Sequence, residues 1–129
     1  MCAAPVATGS GQRVLIVEDH IESAMSIGRL LELFGYEVLV ETDGLAAVKA
    51  AEWFTPSAAL IDLSLPTIDG FAVAKRLRER PKTRDALLIA MTGWATEEHA
   101  ARARAAGFDK HLVKPLSVDA LVDALAAHV

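Results

Sequence analysis

From Arg13 to the end of the chain, short apolar runs alternate with amphipathic stretches, strand-like and helix-like in turn. Val14-Leu15-Ile16-Val17 is continuous and rich in β-branched residues, as expected for a strand buried on both faces. Residues 20–34 carry Ile21, Met25, Leu31 and Phe34 near helical spacing, and Gly35 follows as a stop. Residues 36–40 predict a second strand. Asp43 can cap a helix that reaches Trp53, and Pro56 closes it. Ala58-Ala59-Leu60-Ile61 predicts a third strand, ending at Asp62. A third helix is expected over 71–80, with Pro81 beyond it. Residues 87–91 predict a fourth strand that ends at Thr92. Residues 96–106 form an Ala-rich helical stretch stopped by Gly107. Residues 110–113 predict the fifth strand, ending at Lys114. Ser117 then caps a last helix whose apolar stripe is Val118, Leu121, Val122 and Leu125.

Five strand–helix units of this size imply an α/β fold, a parallel sheet with helices on both faces. Residues 1–12 are small, Ala/Gly/Ser-rich and aperiodic, and read as a flexible leader before a single domain over 13–129. No fixed-period repeat, low-complexity tract or interdomain linker interrupts the alternation.

Composition narrows the function classes. A chain of 129 residues is one domain of ordinary size, and its 53% hydrophobic share can build a core. A net charge of -4 argues against a general nucleic-acid binder. Cys2 is the single cysteine, so no internal disulfide can form and a reducing compartment is expected. No apolar run is long enough to span a membrane, and no basic-then-apolar leader suggests secretion; a cytoplasmic protein is expected. The histidines His20, His99, His111 and His128 fall in different segments without ligand spacing, so no zinc site is expected.

The chemistry gathers at strand ends. Glu18-Asp19, Asp62, Thr92 and Lys114 each stand where a predicted strand runs out. In an open parallel sheet these ends face one crevice, where ligands bind. Each residue alone has an ordinary reading. Glu18-Asp19 can be helix N-terminal charge, Asp62 a turn residue, Thr92 a capping hydroxyl and Lys114 a solvated surface charge. Together they suit a divalent cation and a phosphoryl group. Adjacent acids repel, which a cation relieves, and hard oxygens at a small site select Mg²⁺. An aspartate can attack phosphorus to give an acyl phosphate. Lys114 can pair with a carboxylate before phosphorylation and with a phosphate oxygen after it.

These residues carry a family resemblance. The stretches are Val14-Leu15-Ile16-Val17-Glu18-Asp19, residues 62–70 read as D-x-x-L-P-x-x-D-G, Met91-Thr92-Gly93, Ala106-Gly107-Phe108-Asp109 and Leu112-Val113-Lys114-Pro115. In that order and spacing the chain resembles a receiver domain of two-component response regulators. The ending Asp109-Lys110-His111-Leu112-Val113-Lys114-Pro115 is most similar to receivers appended to hybrid histidine kinases. The resemblance implies a flavodoxin-like sheet of order 2-1-3-4-5 and a phosphoacceptor switch. Asp62 would take the phosphoryl group from a histidine kinase or a histidine phosphotransfer protein. Asp19, Asp62 and the backbone carbonyl of Ser64 would hold Mg²⁺, with Glu18 acting through water. Thr92 and Lys114 would complete the catalytic set. Signalling would run to a downstream protein partner through the fourth helix, fifth strand and last helix, without direct nucleic-acid or membrane binding. The chain would be no enzyme beyond its own aspartyl phosphorylation and dephosphorylation. The sequence sets no oligomeric state.

Two positions depart from the family pattern. His111 stands where an aromatic usually reorients with the threonine, and the bulky Trp94 follows Gly93. A rival reading is an aspartyl phosphohydrolase of the haloacid dehalogenase type, but Ser64 stands where such enzymes carry a second Asp. A flavodoxin-like nucleotide or flavin binder would want a phosphate loop after the first strand, where Glu18-Asp19 repels phosphate. A receiver that binds partners without phosphorylation is the remaining alternative.

Overall fold

The computed structural model describes residues 11–93 and 96–126. Its elements alternate in the expected order: β1 (Arg13–Val17), α1 (Ile21–Leu33), β2 (Glu37–Glu41), α2 (Gly44–Phe54), β3 (Ala58–Asp62), α3 (Gly70–Arg78), β4 (Leu87–Thr92), α4 (Glu97–Ala106), β5 (Lys110–Val113) and α5 (Val118–Ala126). The five strands form one sheet of order β2-β1-β3-β4-β5, and every pairing is parallel. This is the flavodoxin-like arrangement expected from the sequence. Strand neighbours out of chain order require crossovers, which the helices supply on both faces.

Side-chain alternation divides the core in two. Leu15, Val17, Ala59, Ile61, Leu88 and Ala90 face α2, α3 and α4, where Val48, Leu77 and Ala103 pack. Val14, Ile16, Leu60, Ile89 and Met91 face α1 and α5, where Leu31 and Leu121 pack. β3 and β4 are buried along their whole length, which is why they read as unbroken apolar runs.

The helix ends follow from capping chemistry. Asp43 accepts from the Ala46 N–H at 2.9 Å, Asp69 from Ala72 at 2.9 Å, Thr96 from His99 at 3.1 Å and Ser117 from Ala120 at 3.0 Å. Gly35 and Gly107 take positive φ just past α1 and α4, the conformation that ends a helix. Helix α3 stops at Arg78, two residues before the expected end, with Glu79 at its C-cap. Residues 11 and 12 belong to the folded unit rather than to a leader: Gly11 N–H donates to Gly35 at 2.8 Å, and Gln12 accepts from Glu37 at 2.9 Å. Residues 1–10, the rest of the expected leader, lie outside the described residues, as do Cys2 and His128.

Candidate functional site

Parallel strands bring their C-terminal ends to one edge of the sheet. Ile61 is level with Val17, Asp62 with Met91, and Thr92 with Val113. The residues that continue those strands, Glu18 and Lys114, therefore flank Asp62 and Thr92. Glu18, Asp62 and Thr92 are buried, unusual for such side chains unless something compensates them.

Lys114 supplies the compensation. Its Nζ donates to Asp62 Oδ2 at 2.8 Å and to Glu18 Oε1 at 2.7 Å. The Lys114 backbone N–H donates to the Thr92 carbonyl at 2.7 Å, which fixes the start of the loop that carries the lysine. The Lys114–Pro115 peptide bond is cis. The other Asp62 oxygen, Oδ1, accepts the Ser64 N–H at 2.9 Å. Behind it, Leu63 N–H donates to Met91 at 3.0 Å and Gly70 N–H to Leu63 at 3.1 Å. Gly70 is required there: a Cβ on it would lie 2.3 Å from the Asp62 carbonyl oxygen, inside any tolerable contact.

The charges divide into unequal roles. Burial, and then a hydrogen bond with Asp62, pushes the Glu18 carboxyl up to about 7, although Lys114 works the other way. Burial would raise Asp62 too, but its bonds with Glu18, Lys114 and the Ser64 N–H outweigh that and hold it below the usual carboxylate range. Burial would lower Lys114, yet Asp62 and Glu18 hold it above its ordinary range. Near neutrality Asp62 is ionised and Glu18 is the carboxyl that can share a proton with it.

This donor set fits the Mg²⁺ that the resemblance implies. Glu18 is 2% exposed, and its Oε2 has no hydrogen-bond partner among the described residues. A buried carboxylate oxygen without a donor is where a cation, or water held by one, restores the balance. Asp19, the next residue along the chain, is 36% exposed and open to solvent. The donors that lie within 4.8 Å of one another are on Glu18, Asp19 and His20. Asp62 stands outside that group of three, with both its oxygens already bonded, to Lys114 and to the Ser64 N–H.

Of the residues singled out from sequence, Glu18, Asp62 and Lys114 are brought into one bonded cluster. Thr92 is at the adjacent strand end, and Asp19 and Ser64 border the cluster. His111 is exposed on β5, level with Ala90. By register its side chain shares a sheet face with Thr92, which is level with Val113. Trp94 lies outside the described residues. Sequence reasoning did not name Glu18 as a partner of Lys114; its expectation for Glu18, contact with Mg²⁺ through water, is a separate relation. It also passed over His20, whose Nδ1 is 3.4 Å from Asp19 Oδ1.

Comparison with known proteins agrees with this geometry. The family profile described as response regulator receiver domain matches residues 14–126. The chain is similar to the transcriptional regulatory protein PdtaR of Mycobacterium tuberculosis, at 34% identity over 115 residues, 88% of this chain and 55% of PdtaR. It thus spans about half the length of that relative. It is similar to the polar-differentiation response regulator DivK of Brucella anthropi, at 30% identity over 116 residues, 90% of this chain and 94% of DivK. Among solved structures it resembles the receiver domain of sensor histidine kinase PA1611 from Pseudomonas aeruginosa PAO1. The TM-score is 0.83 at 32% identity, covering 91% of this chain and 96% of that one. That structure has a magnesium ion coordinated in its active-site cleft. Sheet order, strand-end cluster and family profile coincide, and the chain belongs to the response regulator receiver domains of two-component signalling.

Proposed function

We propose that this chain is a phosphoacceptor switch in a two-component phosphorelay, taking a phosphoryl group on Asp62 from a histidine kinase or histidine phosphotransfer protein in the cytoplasm. The observation that carries this reading is the environment of Asp62. It is a buried, ionised carboxylate held by Lys114 at 2.8 Å and by the Ser64 N–H at 2.9 Å.

An Asp62 oxygen attacks phosphorus, the donor's P–N bond breaks, and the imidazole leaves with the bonding pair and takes a proton from solvent. Bound Mg²⁺ would bring the two anions together and neutralise charge on the transferring group. Asp19, Asp62 and the Ser64 carbonyl would hold it, with Glu18 reached through water. Lys114 shifts from the Asp62 carboxylate to a phosphoryl oxygen, and Thr92 donates to another. Hydrolysis of the acyl phosphate returns Asp62. The chain then acts on no substrate beyond its own aspartate. The charge gained at Asp62 is read out on α4, β5 and α5 by a downstream protein partner, with Thr92 and His111 as the moving residues. The acidic balance, net -4, gives nucleic acid no attraction.

Intact-mass analysis with acetyl phosphate and Mg²⁺ tests this reading. The parent gains one labile phosphoryl group and Asp62→Asn gains none. An adduct on both proteins, or on neither, contradicts it.

A further inference from the structure

Trp53 is the most exposed large apolar side chain among the described residues, at 66%. Its ring stands edge-on to that of buried Phe54, with centroids 6.0 Å apart, so the indole has a rigid base. Arg13, the first residue of β1, donates to the Phe54 carbonyl at 3.1 Å, which puts Trp53 near the sheet end opposite Asp62. Leu45 and Lys49 stand two turns and one turn earlier on α2, both exposed. The loop between α3 and β4 closes on the same helix end. Arg80 Nη1 lies 3.3 Å from Glu52 Oε1 and offsets that acid, and Lys82 Nζ donates to the Glu52 carbonyl at 3.4 Å. Lys49 and Lys82 enter no ion pair among the described residues.

An exposed tryptophan alone is an ordinary surface feature. Its charge setting separates this one. Residues 75–85 hold six Lys/Arg and two acids in a chain of net charge -4, so the rest of the chain carries -8. We infer that Trp53, with Leu45, Lys49 and Lys82, is the docking surface for a short acidic segment of a partner protein, one that presents an apolar side chain among its acids. The apolar side chain covers the indole and Leu45, and the acids meet the two lysines. The field limits the partner's length. A long polyanion such as nucleic acid, or the plane of an anionic membrane, extends past the positive patch onto a surface that repels it. A short segment stays within the patch. This surface lies apart from the Asp62 cluster and does not depend on the phosphoacceptor reading.

The test is selection of phage-displayed random linear peptides on the full chain. Affinities of the recovered peptides are measured on the parent, Trp53→Ala and the double variant Lys49→Glu/Lys82→Glu. The expected peptides carry Asp or Glu beside Leu, Met or an aromatic. They bind less as salt rises and lose about tenfold or more in both variants. Circular dichroism of both variants matches the parent, since the replaced side chains are exposed. Should Trp53→Ala not fold, the charge-reversed variant decides alone. Recovery of no peptide that depends on these residues overturns the inference, as does a dependent set without acids. Phosphatidylserine vesicles and single-stranded RNA are separate arms, and Trp53-dependent binding of either overturns the choice of a peptide.

Discussion

Lys114 bonds Glu18 at 2.7 Å across 96 positions of sequence. Two strands, β3 and β4, stand between the strands these residues follow. Strands are spaced about 4.8 Å apart, so sheet adjacency does not bring the two together. The long lysine stem crosses the strand ends and settles between two buried carboxylates.

Removing that charge while keeping the stem therefore has two consequences. Lys114→Met leaves Glu18 and Asp62 facing each other without a cation. Urea unfolding at neutral pH should show a loss of about 2 kcal/mol, and phosphorylation by acetyl phosphate should slow markedly. Parent-like stability together with a parent-like rate would remove Lys114 from the account.

Glu18 makes stability depend on pH with a definite sign. Its carboxyl titrates at about 7 when folded against 4.5 as the reference value. Between those values the folded state binds the proton more tightly, so stability is greatest below about 4.5 and falls as pH rises to about 7. Asp62, held below 3.8, titrates outside that window. Glu18→Gln cannot titrate and should lack this part of the decline. Measured with chelator, the parent should lose up to ~3 kcal/mol relative to the variant between about pH 4.5 and above about 7. A stability difference that stays constant across the window would show that Glu18 carries no such shift.

Arg78 separates the fold from the site. Its guanidinium donates to Gly107 at 2.9 and 2.7 Å, Arg84 at 2.6 Å, Ala86 at 2.7 Å and Asp109 at 2.8 Å. These groups lie around the start of β4 and the turn into β5, at the sheet end opposite Asp62. Arg78→Ala should cost about 2–3 kcal/mol in unfolding free energy, and Arg78→Lys should recover little of it, having no planar fork. Folded Arg78→Ala protein should still accept phosphate. Failure of the folded variant to do so would mean that the two sheet ends are coupled.

The proposed switch is testable at His111. Phosphorylation adds about two negative charges beside Asp62, and Thr92 can follow them only if its loop moves. His111 is exposed and lines a cavity of about 70 Å³ with Ala100, Ala103 and Phe108 between α4 and β5. Beryllofluoride, a phosphoryl mimic, should shift the amides of Thr92, His111 and α4. Shifts confined to Asp19, Asp62 and their neighbours would leave a phosphate acceptor without this switch.

The fold was legible because the strands are short apolar runs and four of the five helices, all but α1, carry their own side-chain cap. Asp43 and Ser117 were readable as helix starts since a capping side chain acts within three residues. Asp62 and Lys114 were legible because parallel strands deliver their ends to one edge. Their partners were harder. Arg78 sits in a run with Lys75 and Arg76 that reads as a solvated helix face, and its acceptors are backbone carbonyls without a sequence signal. His20 was weighed with three other histidines by spacing along the chain, whereas its relation to Glu18 and Asp19 comes from the turn out of β1.

In the proposed reaction Asp62, among the acids at these strand ends, takes the phosphoryl group. Borohydride reduction of the phosphorylated chain, followed by peptide sequencing by mass, tests it most directly, because an acyl phosphate is reduced to the alcohol and free carboxylates are not. Homoserine is expected at position 62, with Glu18 and Asp19 unchanged. A reduced residue at position 18 or 19, or phosphorylated chain whose position 62 remains aspartate, would contradict it.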